Sequence, residues 1–178
     1  EHYQSAGDQL RLQAARKELD ALDKVPQLLY TDEGLESVRT GLVLRDREEA
    51  NLLFNDAMMY KKTITKENCI TTIKRFEQLI QEYPDSDKVG DAAFEIAAIY
   101  ESGFLGDYES AARYYIKSYQ LNPRIEQHAL LKAAEIYERK LYDLNKAKAI
   151  YKQAAVHSYD ERARKKAQNR LSELEMRT

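Results

Sequence analysis

Two stretches of this chain repeat one pattern. Residues 92–123 read AAFEIAAIYESGFLGDYESAARYYIKSYQLNP, and residues 129–157 read ALLKAAEIYERKLYDLNKAKAIYKQAAVH. Ala97 falls on Ala134 and Tyr100 on Tyr137 at an offset of 37, while Ala111 on Ala147 and Tyr115 on Tyr151 give 36. A period in that range, built from two helical stretches, restricts the chain to stacked helix pairs, because no pair buries its apolar side alone. In the first stretch Ala93, Ile96, Ala97 and Tyr100 take the i, i+3, i+4, i+7 spacing of one helix face. Gly103 and Gly106 interrupt it. Ala111, Ala112, Tyr115, Ser118 and Tyr119 then form a second inner face, ended by Pro123, which lacks the amide donor and clashes with the preceding turn.

A more degenerate copy lies upstream. Ala57 and Tyr60 sit 40 residues before Ala97 and Tyr100, and Phe76 and Pro84 sit 39 before Tyr115 and Pro123. Cys69, Ile73, Phe76, Ile80 and Tyr83 make a helical stripe. Three pairs are therefore expected, at about 47–84, 88–123 and 127–158. Asp46 followed by Glu49 predicts a capping box ahead of a helix over 47–62. Asp160 is expected to cap a last helix over 160–175, with Ala163, Ala167, Leu171 and Leu174 inward and a polar outer face, as suits the end of a solenoid. Residues 1–45 show no repeat. The spacing predicts helices over 8–24 (Leu12, Ala15, Leu19, Leu22) and 33–44 (Leu35, Val38, Leu42), joined by the apolar Leu28-Leu29-Tyr30. That segment is either a degenerate pair or an arm, ahead of a solenoid over 46–178.

Composition agrees and excludes several functions. Hydrophobic residues make up 43% and charged residues 33%, with six Gly and three Pro, a balance that favours helices over many short strands. A net charge of −2 lacks the basic footprint of a phosphate-backbone binder, so no nucleic acid is expected. No apolar run is long enough to span a membrane. The chain opens on Glu1, which leaves an upstream signal peptide or lipid anchor open.

The spacing resembles the tetratricopeptide repeat: a small residue, then Tyr, a turn, Ala, an aromatic four later and Pro eight beyond. Ala97, Tyr100, Ala111, Tyr115 and Pro123 meet it. The third unit meets it at Ala134, Tyr137, Ala147, Tyr151 and Ala154, with Tyr159 in place of Pro. The first meets it at Ala57, Tyr60, Phe76 and Pro84, with Thr72 at a usual Ala. Longer turns and the absence of Trp are departures. The resemblance covers roughly 47–174 and implies an all-α fold: a right-handed superhelix of about three pairs, a C-terminal capping helix and an irregular N-terminal segment. The cadence from Tyr83-Pro84-Asp85-Ser86 to Gly106-Asp107-Tyr108 is similar to that of tetratricopeptide proteins of the bacterial envelope. These are of the outer-membrane assembly lipoprotein and Tol-associated periplasmic coordinator types. It implies a periplasmic or envelope location, with cytoplasm as the alternative.

In that family the first helix of each pair lines a groove. Carried over by position, the groove residues are Asn51, Phe54, Asn55 and Met58, then Asp91, Phe94, Glu95 and Ala98, then His128, Leu131, Lys132 and Glu135. Lys61, Glu101 and Arg139 are polar neighbours. Such a wall suits an extended or helical segment of a partner protein anchored by apolar side chains. Equally, Phe54, Phe94 and Leu131 could be core, or be covered by the 8–24 helix. Phe54, Met58 and Glu95 stand where a clamp for an acidic C-terminus needs Lys or Asn, which counts against that ligand.

Catalysis is not expected. His2, His128 and His157 lie far apart without a partner at i+3 or i+4, so neither a metal nor a cofactor is implied. Cys69 sits on the stripe with Ile73 and Phe76 and reads as a small buried hydrophobe. No Gly-rich phosphate loop, nucleophile elbow or HExxH occurs. Arg162, Arg164, Lys165, Lys166 and Arg170 form a basic cluster, read as a solvated cap face balanced by Glu161, Glu173 and Glu175. The expected function is a non-catalytic scaffold that binds partner proteins and organises a complex. The alternatives are self-association through the N-terminal segment, giving dimers or filaments, and an enzyme or carbohydrate-binding accessory using the groove.

Overall fold

The computed structural model describes residues 44–63, 65, 68–125 and 128–176. The helices expected over 8–24 and 33–44, with their connector, lie outside the described residues apart from Leu44. Seven helices follow: α1 (Glu48–Lys62), α2 (Cys69–Glu82), α3 (Val89–Glu101), α4 (Tyr108–Leu121), α5 (Ala129–Arg139), α6 (Leu144–His157) and α7 (Glu161–Glu175). Each packs on the next along the chain, from α1 on α2 to α6 on α7. The described chain is thus an α solenoid of stacked hairpins, as its periodicity predicts. None of these helices is long and apolar enough to cross a membrane.

The repeat's small residues sit where helices cross. Ala57, Ala97 and Ala134 on the first helices and Ala111 and Ala147 on the second are fully buried. In α2 the equivalent place is held by Thr72, which stays satisfied by donating its hydroxyl to the Asn68 carbonyl at 3.0 Å. Gly90 marks a close approach of α3 to the end of α4. A Cβ there would stand 2.5 Å from Asn122 Cβ, and Ser118 Oγ donates to the Gly90 carbonyl at 2.8 Å. Around these contacts Phe76, Tyr115 and Tyr151 supply the bulk of each hairpin's core.

Buried tyrosines need a partner for the hydroxyl, and the second and third hairpins supply one from the last turn of their first helix. Tyr115 donates to Glu101 at 2.7 Å, and Tyr151 donates to Glu138 at 2.8 Å. The first hairpin changes both members together: Phe76 has no hydroxyl, and Lys61 stands where the acid would be. Lys61 instead reaches the next hairpin and pairs with Glu95 of α3.

Turn chemistry also repeats. Gly106 (φ 61) and Tyr142 (φ 56) are left-handed, and the Asp after each caps a helix. Asp107 accepts from the Ser110 amide at 3.0 Å, and Asp143 from the Lys146 amide at 3.0 Å. Asp160 caps α7 through the Ala163 amide at 2.8 Å. The capping box expected at Asp46 and Glu49 does not form. α1 begins at Glu48, the extended Arg47 before it makes no side-chain capping bond, and Asp46 accepts from Asn51 Nδ2 at 2.6 Å. Pairing with the α2–α3 linker draws this stretch out. Arg45 donates to the Asp85 carbonyl at 2.8 Å and accepts from the Asp87 amide at 2.9 Å, while Arg47 pairs with the Asp85 carboxylate.

Candidate partner-binding face

α1, α3, α5 and α7 are the alternate helices of the stack, and ion pairs link neighbours among them. Lys61 joins α1 to α3; Glu135 and Glu138 of α5 meet Lys166 and Arg170 of α7. Phe54 and Phe94 occupy one repeat position and share one environment. Each is half-buried, with its ring set against its own hairpin's aromatic: Phe54 on Phe76 at 5.6 Å, Phe94 edge-on to Tyr115 at 4.9 Å. Held this way, a ring keeps one orientation while part of it meets solvent. Leu131, the third member, is only 4% exposed and contributes little surface.

The remaining positions are more polar. Met58 and Ala98 are half-buried, and Asn55 is exposed. Asn51 is engaged by Asp46. Asp91 and Lys132 are half-buried. Glu95 is taken by Lys61, and Glu135 by Lys166 at 2.8 Å. His128 is exposed, left-handed at φ 55, and its Nε2 lies 3.8 Å from an Asp160 carboxylate oxygen. Among the described residues no three His, Cys, Asp or Glu side chains gather as a metal ion would need. Cys69 is buried.

A cleft of about 350 Å³ opens between α5 and α7, lined by the buried Leu131 and Tyr151 and by Glu135, Arg139, Lys166, Asn169, Arg170 and Glu173. The basic cluster of α7 is therefore split rather than wholly solvated. Arg164 donates to the carbonyls of Ser158 and Tyr159 at 2.8 and 3.0 Å. Arg170 Nε stands 3.0 Å from both oxygens of Glu138, whose side chain is 7% exposed. The Arg170 guanidinium holds the Glu138 carboxyl below the usual carboxylate range, against the opposing effect of burial. Burial first, and then Glu138, push the Tyr151 hydroxyl well up. The i, i+3, i+4, i+7 spacing of Lys166, Asn169, Arg170 and Glu173 carried the signal that one polar face of α7 looks toward α5.

A family model described as the tetratricopeptide repeat matches residues 128–156, the third hairpin almost entire. The match supports that family, whose members are typically non-catalytic interaction modules, and so supports protein binding. No curated protein and no solved structure matches the chain.

Proposed function

We propose that the chain is a non-catalytic scaffold that holds a segment of a partner protein along α1, α3, α5 and α7, and so organises a complex in a bacterial envelope. The observation that carries this reading is the pair of half-exposed rings, Phe54 and Phe94, each fixed by an aromatic of its own hairpin. Rings already ordered lose little freedom on binding, and aromatic anchors supply most of the affinity in such grooves. Met58 and Ala98 continue the apolar track, and the α5–α7 cleft adds charged groups of both signs at its end. The envelope location rests on the Tyr83-Pro84-Asp85-Ser86 to Gly106-Asp107-Tyr108 cadence.

One experiment tests both parts. The wild-type chain and Ala98→Arg are used as bait on separate envelope and cytoplasmic extracts. Ala98 is half-buried at a helix surface, so its Arg variant should keep its helical circular dichroism while losing at least about tenfold of the captured partner. Equal capture by both baits would move binding off this face. Face-dependent capture from the cytoplasmic extract alone would overturn the envelope location.

A further inference from the structure

α1 carries a second surface, which shares only Asn55 with the groove positions. Ala50 and Ala57 face the core. On the opposite side Glu48, Leu52, Asn55, Met59 and Lys62 succeed one another at steps of four, three, four and three, and all five are exposed. Leu52 and Met59 are 64% and 68% exposed. Forty residues on, the same positions are Ala92 and Ile99 of α3, and in α5 they are Ala129 and Ile136; all four are buried in the stack. This edge of a hairpin is therefore one that takes a neighbouring helix, and in α1 it bears Leu52 and Met59 with no described helix over them.

The stripe also identifies a neighbour. Read from either end it runs charge, apolar, Asn, apolar, charge, with the charges of opposite sign. Set antiparallel against itself about Asn55, it places Glu48 beside the second copy's Lys62, Leu52 beside Met59, and Asn55 beside Asn55. A two-fold contact requires this self-complementarity. Neither Glu48 nor Lys62 has an ion-pair partner among the described residues. The opposed helix dipoles favour the same orientation. We infer that the exposed face of α1 is a homodimer interface in which two copies pair antiparallel through Glu48, Leu52, Asn55, Met59 and Lys62. A single helix pair buries little area, so the dimer is weak, of micromolar affinity or weaker.

Charge exchange tests it on the full chain. Sedimentation of the wild type up to about 300 micromolar should show a monomer–dimer equilibrium. Glu48→Lys turns both terminal pairs repulsive and should weaken dimerisation at least about tenfold, as should Lys62→Glu. Mixing the two variants restores both pairs, so the mixture should dimerise where neither variant alone does. Asn55→Cys on the axis should form an intermolecular disulfide under mild oxidation, because facing positions of packed helices come within its reach. A chain that is monomeric at every concentration overturns the inference, and this is the result if residues 1–43 cover the stripe. A dimer indifferent to Glu48→Lys overturns it too, since self-association would then run through another surface. So does a mixture that stays monomeric.

Discussion

Gly106 and Tyr142 perform one task with unequal means. Both put a left-handed residue ahead of an Asp cap, but only glycine does so without its side chain crowding the backbone. The left-handed conformation costs a non-glycine residue roughly 1–2 kcal/mol, and glycine's extra freedom when unfolded returns roughly 0.5–1 kcal/mol of that. Tyr142 is 79% exposed, so its ring has little packing to lose. Tyr142→Gly should therefore stabilise the chain by about 0.5–1 kcal/mol in chemical denaturation. A loss of stability would mean that the tyrosine ring contributes more than the backbone strain costs. The Gly-Asp pair at 106–107 was legible as a turn from residue type alone. The left-handed backbone of Tyr142 was not, because tyrosine does not signal it, and a lone histidine such as His128 signals it only weakly. The expected cap at Asp46 failed for a related reason: cap residues were legible, whereas the pairing of 45–47 with a linker forty residues away was not.

Among the elements, α7 depends most on electrostatics. Its small residues Ala163 and Ala167 are buried, and Arg170 ties it to Glu138 of α5. The Glu138 carboxyl is held below its ordinary range, so its ionised form stabilises the fold. That contribution is fully present above the unfolded value of about 4.3 and is lost as pH falls through the lower folded value. Glu138→Gln should cost about 1–3 kcal/mol between pH 6 and 8, since it leaves Arg170 without its buried acid. The gap between wild type and variant should begin to narrow as pH falls below the unfolded value of about 4.3 and close only below the lower folded value. A gap that stays constant down to pH 3 would assign the loss to packing. The basic character of α7 was plain from sequence, but its partners stand 32 residues away. Helical spacing showed which residues share a face and left open what that face meets.

The described molecule is held mainly by contacts between consecutive helices, with ion pairs reaching one helix further, so cooperativity decays along it rather than joining one end to the other. Among the described helices, α1 and α7 each pack on one consecutive helix and the others on two. Amide exchange should therefore be slowest in α4 and α5 and at least about tenfold faster in α1. Uniform exchange would mean that the stack opens in one step. At this scale the sequence was most informative: Ala and Tyr at a period of 36 to 40 determine hairpins and their stacking almost unaided. The same spacing proposed a wall of groove positions, yet it could not tell a half-exposed Phe94 from a buried Leu131. That distinction depends on how far each hairpin overlaps the next. The clasp between Arg45 and the 85–87 linker has a mechanical corollary. Two backbone hydrogen bonds and the Arg47–Asp85 pair close residues 45–87 into a loop. Tension applied at residue 44 would pass straight to the linker, leaving the first hairpin unloaded until the clasp parts.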